Sequence, residues 1–145
     1  MKKSILIGLM AVTLFTACGQ ANSKKEGKET SSTETTVQSA EASVVNVYYF
    51  HGKQRCKTCI AVGNVTEETI KELYADNSSV KFIEVDTSDK KNEALVEKYE
   101  VSWNALIIAK GNNSIDITER AFASALNNPE ALTNLIKEEV NNRLK

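Results

Sequence analysis

Two absences narrow what this chain of 145 residues can do. Its 18 lysines and arginines nearly balance its 19 aspartates and glutamates, so the chain has no strong net charge with which to attract nucleic acid. It also lacks a long apolar run. The segment ILIGLMAVTLF near the start is shorter than the roughly 20 residues that a transmembrane helix needs. This run therefore predicts a secretion signal and not a membrane-spanning helix.

The first of the three cysteines comes shortly after this run. Lys2 and Lys3 precede the run as a charged segment, and Thr16-Ala17 leads directly into Cys18. Small residues directly before a cysteine resemble the bacterial lipobox, whose cysteine is lipidated and becomes the first residue of the mature protein. The resemblance predicts a lipoprotein signal peptide over residues 1–17 and lipidation of Cys18. The alternative is an ordinary signal peptide that leaves Cys18 as a free thiol.

Residues 18–43 differ in composition from the rest of the chain. They are almost wholly Ser, Thr, Glu, Lys, Gln and Ala, with no aromatic residue. Such a segment cannot bury enough apolar surface to offset the entropy of ordering, so a disordered polar linker is expected. Residues 44–145 are long enough for one compact domain. We therefore expect a domain that is lipid-anchored in the cell envelope outside the cytoplasm, facing the periplasm or on the outer membrane.

The apolar pattern of residues 44–145 predicts seven secondary-structure elements in the order β-α-β-α-β-β-α. Apolar residues recur every three or four positions from about Lys57 to Ala75, which indicates a helix. Asn128 before Pro129 marks the start of the last helix. A crossover helix makes the first two strands parallel, whereas a hairpin makes the last two antiparallel. The fold class is therefore α/β, a mixed sheet flanked by helices, with strands at 44–50, 80–86, 105–110 and 114–118.

The run HGKQRCKTC at 51–59 holds two cysteines, three cations and the only histidine, between the first predicted strand and the first predicted helix. A CxxC at such a junction is typical of thioredoxin-like redox motifs. Cys56 would lie at the helix N-terminus, where the helix dipole and unpaired amides favour a thiolate.

The charges around Cys56 favour the same form. Arg55 and Lys57 flank it, and Lys53 and His51 precede it. We therefore expect Cys56 to be the nucleophile, with a pKa below the free value of about 8.5. One turn further along, on the buried side, the second cysteine of the motif, Cys59, is expected to be the resolving thiol.

With these residues in place, the chain from 44 to 144 resembles a thioredoxin-like lipoprotein of Gram-negative envelopes. The run VYYFHGKQRCKTC is also similar to small thioredoxin-like lipoproteins described as a subunit of nitrophenyl-compound reduction beside organoarsenical efflux. The resemblance implies a minimal thioredoxin-like fold and a thiol-disulfide oxidoreductase or electron-transfer protein that works through a Cys56–Cys59 disulfide without another cofactor. It implies a monomeric domain whose partners are protein thiols or disulfides, or an electron donor in the membrane. Lys57 and Thr58, between the cysteines, lie where such proteins tune the reduction potential.

Two positions depart from the thioredoxin pattern. The family has a cis-proline in the loop that faces the CxxC, whereas this chain has Asn104 there and its only proline is Pro129. A cis bond at a non-proline residue costs about 3–4 kcal/mol, so a trans bond is expected. The acid that the family buries beneath the resolving cysteine would fall near Phe50, where no carboxylate is present. His51 could replace that acid, or it could simply end the strand and face solvent.

Several neighbouring residues allow two interpretations. Trp103, beside Asn104, would be either a flat apolar wall near the thiols for an aromatic or peptide substrate, or a core residue under the loop. Tyr48 and Tyr49 alternate along the first strand and are expected to be packing residues.

Two other functions compete with thiol-disulfide exchange. Cys56, Cys59 and His51 could form a copper(I) module, because thiolates two residues apart can share a soft metal. A closed zinc site would need a fourth ligand, so no metal centre is expected as a cofactor. The third possibility is a static disulfide that only stabilises the domain. A short, exposed CxxC at a helix start favours reactivity over that structural role.

Overall fold

A four-stranded mixed sheet organises the part of the chain that the structure describes. The computed structural model describes residues 43–145, so the predicted signal peptide, Cys18 and all of the linker except Ser43 lie outside the described residues. The strands are β1 (Val45–His51), β2 (Val80–Asp86), β3 (Ala105–Lys110) and β4 (Asn113–Asp116). Their spatial order is β2-β1-β3-β4, with β1 parallel to β2 and both other pairs antiparallel. This is the mixed α/β sheet that the sequence predicts.

Helices cover both faces of this sheet. The described helices are α1 (Lys57–Tyr74), α2 (Glu93–Lys98) after a short 3-10 turn, α3 (Thr118–Ser124) and α4 (Pro129–Leu144). One face of the sheet packs with α1, α3 and α4 around a core that includes Val47, Val62 and Ile136. The other face packs with α2 through Phe50, Val85 and Tyr99. None of the helices within residues 43–145 is long and apolar enough to span a membrane.

The helix starts are marked by residues that accept hydrogen bonds. Asn128 caps α4 by accepting from the Ala131 amide, and Pro129 is the first helical residue, as predicted. Asp89 caps the 3-10 turn before α2 by accepting from the Lys91 amide. Cys56 caps α1 through its sulfur. The join between β1 and α1 therefore places this cysteine at the helix N-terminus, as predicted from the motif.

Two expectations about the elements are wrong. The sequence predicts a strand over 114–118, but β4 ends at Asp116 and α3 begins directly afterwards, a helix that the sequence pattern did not predict. The signal for α3 is the four-residue spacing of Ile117, Ala121 and Ala125, which are all buried. Alternation of Ile115 with Ile117 favoured a strand over the same residues. The helical spacing also predicts Leu73 on the inner side of α1, but Leu73 is 45% exposed, whereas its neighbour Tyr74 packs against the core.

Candidate dithiol site

The two cysteines of the motif form a disulfide at the start of α1. Cys56 is exposed, whereas Cys59 is only 4% exposed. The Cys56 sulfur accepts a hydrogen bond from the Cys59 amide at 3.2 Å, one of the amides that a helix N-terminus leaves unpaired. The same amide and the helix dipole would favour a negative charge on this sulfur after reduction. The geometry thus gives the two sulfurs different access to substrate.

The two residues between the cysteines differ in exposure. Lys57 is the first residue of α1 and is exposed, and no ion pair within residues 43–145 involves it. Thr58 is half-buried. Lys57 follows Cys56 directly in the sequence and has no carboxylate partner among the described residues, which leaves its charge available to favour a thiolate there.

Arg55 does not share the position of Lys57. Its Nη1 donates to Glu84 Oε1 at 2.8 Å, and its guanidinium carbon lies 5.3 Å from the centre of the Tyr49 ring. A Cβ atom on Gly63 would lie 2.6 Å from Arg55 Nη2. Because Gly63 lies on the buried side of α1, one turn after Cys59, the guanidinium lies beneath the helix. The sequence predicts Arg55 beside Cys56, but it does not reveal the partners that direct the side chain inward.

His51 is also held by Glu84. Its Nε2 lies 3.2 Å from Glu84 Oε1, its Nδ1 lies 2.9 Å from the Gly52 carbonyl oxygen, and its side chain is only 13% exposed. The interpretation in which His51 faces solvent is therefore wrong. Both partners are acceptors, so both bonds form at once only when each ring nitrogen carries a proton. A copper ion would need a nitrogen lone pair, and binding it would break one of these bonds.

The charged and thiol groups around the site do not assemble into a metal-binding cluster. Within residues 43–145, no three His, Cys, Asp or Glu side chains are grouped so as to hold a metal ion. The copper alternative is therefore left with the two cysteine sulfurs as its ligands.

Tyr49 lies directly beneath the CxxC helix. Its hydroxyl donates to the Cys59 carbonyl oxygen at 2.6 Å. Burial raises the pKa of Tyr49 above its ordinary value, against the hydrogen bond and charge of Arg55, which lower it. Strand alternation turns Phe50 to the opposite face, where it packs against Tyr99. The residue beneath the resolving cysteine is therefore Tyr49, the strand neighbour of Phe50, near which this position was expected.

Tyr49 and Glu84 are the site residues that the sequence pattern did not identify. Alternation along β1 predicts a packing role for both of its tyrosines. That prediction fits Tyr48, whose ring centre lies 5.4 Å from that of Tyr99. A charged residue inside the apolar run VKFIEVD was a usable signal for Glu84. The parallel register pairs Glu84 with Tyr49, which brings its carboxylate to the same face of the sheet as α1.

The loop before β3 lies at the same end of the sheet as the cysteines, because Ala105 at the start of β3 pairs with Phe50 near the end of β1. No described peptide bond is cis, which confirms the trans bond expected for Asn104. The Asn104 Oδ1 atom is buried without a hydrogen-bond partner among the described residues. Trp103 is 80% exposed, so the interpretation of this residue as core packing is wrong.

Comparison with known proteins supports the fold. The first two thioredoxin domains of Saccharomyces cerevisiae Eps1p match with a TM-score of 0.52 and 16% identity, covering 83% of this chain and 45% of that chain. The corresponding domains of Naumovozyma dairenensis Eps1p match with a TM-score of 0.51 and 14% identity, over 81% and 43% of the two chains. Human ERp44 matches with a TM-score of 0.51 and 17% identity, over 80% and 30%.

This chain therefore spans less than half the length of each of these three chains. No protein-family profile and no curated protein matches it. At these identities the likeness concerns the fold alone, which is a minimal thioredoxin-like α/β fold that carries a CxxC disulfide.

Gly63 provides the first test of this packing. Glycine to alanine in a helix interior ordinarily stabilises by about 1 kcal/mol. At Gly63 the new Cβ would lie 2.9 Å from the rigid Tyr49 ring as well as close to Arg55. Overpacking costs about 1–3 kcal/mol, so we expect Gly63→Ala to lower the free energy of unfolding. Urea denaturation measures the change, with the exposed neighbour Asn64→Ala as the matched control. A Gly63→Ala protein at least as stable as wild type would contradict the packing.

Tyr49→Phe tests the hydrogen bond beneath the resolving cysteine. The substitution removes the hydroxyl's hydrogen bond to the Cys59 carbonyl, so we expect a loss of about 0.5–1.5 kcal/mol in unfolding free energy at pH 7. Burial raises the pKa of Tyr49 in the folded protein above its value of about 10 in the unfolded chain. The hydroxyl's contribution to the free energy of unfolding is therefore complete below about pH 10, and it is lost as the pH rises through the folded-state pKa. The difference between wild type and Tyr49→Phe should therefore shrink above about pH 10.

Urea titrations at about pH 7 and about pH 11, on either side of the tyrosine pKa, measure both effects. Tyr74→Phe is the matched control, since the Tyr74 hydroxyl donates to Asn141 at the exposed surface. Its loss at neutral pH should be smaller. An equal loss for the two tyrosines, or a Tyr49 difference that grows with pH, would contradict the assignment.

Proposed function

We propose that this protein is a thiol-disulfide oxidoreductase or dithiol electron-transfer protein, held in the cell envelope by a lipid on Cys18. The observation that carries the proposal is the unequal cysteine pair at the start of α1. The exposed Cys56 sulfur accepts an amide hydrogen bond at the helix N-terminus, and its partner Cys59 is buried. A thiol that is both accessible and favoured as a thiolate is the reactive type.

The first step belongs to Cys56. In the reduced protein its thiolate attacks one sulfur of a substrate disulfide, and the substrate's sulfur–sulfur bond breaks as a Cys56–substrate disulfide forms. The other substrate sulfur leaves as a thiolate and takes a proton from water. The Cys59 amide and the exposed charge of Lys57 favour the attacking thiolate.

The second step belongs to Cys59. Its thiolate attacks the Cys56 sulfur, which forms the intramolecular disulfide seen in the structure and releases the second substrate thiolate. The substrate disulfide has then gained two electrons and the protein dithiol has lost two. A dithiol donor restores the reduced protein by the reverse exchange, and an excess of substrate dithiol drives the same steps toward oxidation of the substrate.

The proposed location of the protein rests on its first 43 residues, whereas its proposed partners rest on resemblance and on the surroundings of the cysteines. The lipobox resemblance supports a tethered domain outside the cytoplasm, and the thioredoxin-like resemblance supports a monomeric domain that acts on protein thiols or disulfides, or with an electron donor in the membrane. The narrower resemblance names a role as the redox subunit of a nitroaryl-reducing system. The exposed Trp103, at the same end of the sheet as the cysteines, favours an aromatic or apolar substrate surface.

Separate substitution of the two cysteines tests the proposal. We expect Cys56→Ser to reduce disulfide exchange with a model peptide disulfide to the rate of the buffer reductant alone. Cys59→Ser should still attack but should accumulate mixed disulfides, because the resolving thiol is gone. Acid-quenched exchange assays and non-reducing gels measure both, and Cys18→Ser is the control for the third thiol. The same variants test electron transfer to a nitroaryl-reducing partner, which either cysteine substitution should stop.

Two outcomes would overturn the assignment. Trapping of mixed disulfides by Cys56→Ser would reverse the roles of the cysteines. Absence of exchange in wild type, together with tight stoichiometric copper(I) binding that both substitutions abolish, would replace the oxidoreductase with the copper module.

Cys18→Ser tests the tether. A lipid chain contributes about 0.8 kcal/mol of membrane affinity for each buried CH₂ group, so its loss should move the protein from the membrane fraction to the soluble fraction of lysed cells. Disulfide exchange by the released protein should be unchanged, because Cys18 lies outside the domain that carries the site. Cys59→Ser, which keeps Cys18, should stay with the membranes. A Cys18→Ser protein that still sediments with membranes would contradict lipidation as the anchor.

A further inference from the structure

The two cations that flank Cys56 in the sequence have different surroundings in the structure. Lys57 is exposed and has no ion-pair partner within residues 43–145. The Arg55 side chain is 26% exposed and its guanidinium is 2.8 Å from Glu84. An ion pair acts at a distance as a dipole and not as a net charge, so its influence on a nearby thiolate is weaker than that of an unpaired cation.

The position of the guanidinium is determined on three sides. Glu84 Oε1 accepts from Nη1, the Tyr49 ring lies beneath the guanidinium carbon, and Gly63 leaves room for Nη2 where any other residue would place a Cβ at 2.6 Å. These three contacts lie on the inner side of α1, whereas Cys56 is an exposed residue at its N-terminus. The pair therefore fixes the Arg55 charge against Glu84 and Tyr49, beneath the helix whose N-terminus carries Cys56.

The other charged groups near the site have partners on the neighbouring strand. His51 Nε2 lies 3.2 Å from the same Glu84 oxygen. The pKa of Asp86 lies below its ordinary value, first through hydrogen bonds from Ser88 and, to a smaller degree, through the charges of His51 and Lys53. Lys53 is thus within electrostatic reach of Asp86. Of the three cations in the run, Arg55 pairs with Glu84 and Lys53 acts on Asp86, whereas no ion pair in the described part of the chain involves Lys57.

We propose that Glu84 is a positioning residue of the dithiol site, which holds Arg55 beneath α1 and leaves Lys57 and the helix N-terminus to set the acidity of Cys56. Glu84 touches neither sulfur and acts through Arg55. Release of Arg55 adds a mobile cation next to Cys56 and makes its thiolate easier to form. The proposal rests on the proposed function, since it concerns the nucleophile of that reaction.

A double-mutant cycle with Glu84→Gln and Arg55→Gln tests this coupling. The measured quantity is the pH at which the rate of Cys56 alkylation by iodoacetamide reaches half its maximum, followed by mass spectrometry of the Cys56 peptide in the reduced full chain. We expect Glu84→Gln alone to lower this midpoint by about 0.5–1 pH unit, because it frees Arg55. Arg55→Gln alone should shift it by less than about 0.3 unit, because the paired charge acts weakly.

The decisive comparison is the effect of Arg55→Gln in the Glu84→Gln background. There we expect Arg55→Gln to raise the midpoint by about 0.5–1 pH unit. If Glu84 acted only through its own negative charge, its removal would shift the midpoint equally with or without Arg55, and that result would overturn the proposal. Glu138→Gln, an exposed carboxylate on α4, is the matched control and should leave the midpoint unchanged.

A second comparison does not depend on the Glu84 variants. Lys57→Gln should raise the midpoint more than Arg55→Gln does, and an equal or larger shift for Arg55→Gln would also overturn the proposal. Alkylation reports thiol acidity and not disulfide exchange. If the protein exchanges disulfides but Glu84→Gln and Arg55→Gln shift the midpoint independently, only the positioning role of Glu84 is rejected. If the two substitutions are coupled but the protein does not exchange disulfides, only the proposed function is rejected.

Discussion

The contact between Tyr49 and the first two turns of α1 determines how the dithiol site is built. Tyr49 lies in β1, the strand that pairs with both of its neighbours, and is fully buried. Its hydroxyl holds the Cys59 carbonyl, and its ring supports Arg55. The ring can lie this close to the helix only because residue 63 is glycine. One aromatic side chain thus sets the distance between helix and sheet, the burial of Cys59 and the space that Arg55 occupies.

The difference between the two sulfurs results from this packing. A helix that lies close to the sheet buries the residues on its inner side, and Cys59 is on that side. Cys56 comes before the first helical residue, so its side chain caps the helix and stays in solvent. The cysteines are three positions apart in the sequence, and one turn of helix converts that short separation into a difference in access. The proposed division into attacking and resolving thiols needs no other asymmetry.

The sequence predicted those features that depend on local periodicity. The strands β2 and β3, the helices α1 and α4 and the capping positions Cys56 and Asn128 can be read from alternation, helical spacing and N-cap chemistry. The Arg55–Glu84 pair joins residues 29 positions apart, and only the register of β1 with β2 brings them together. Composition near the motif therefore suggested three cations and a histidine around Cys56, whereas the fold brings His51 and Arg55 to Glu84 and Lys53 within electrostatic reach of Asp86. The helix α3 was missed because Ile115 and Ile117, two positions apart, alternate as residues of a strand do.

Because Glu84 lies on the edge strand β2, it can orient charged residues of the site while contributing little to the stability of the domain. A carboxylate buried beneath the helix would have to be desolvated, at a cost of several kcal/mol unless it is fully paired. Glu84 is instead 47% exposed on a strand that pairs on one side only within the described sheet. Partly exposed ion pairs contribute about 0–1 kcal/mol to folding, so little stability depends on Glu84. The same carboxylate still orients His51 and Arg55, at the two ends of the loop that leads to Cys56. Packing by Tyr49 and Gly63 thus holds the helix in place, and the charged residues at the edge of the sheet can be substituted without loss of the fold.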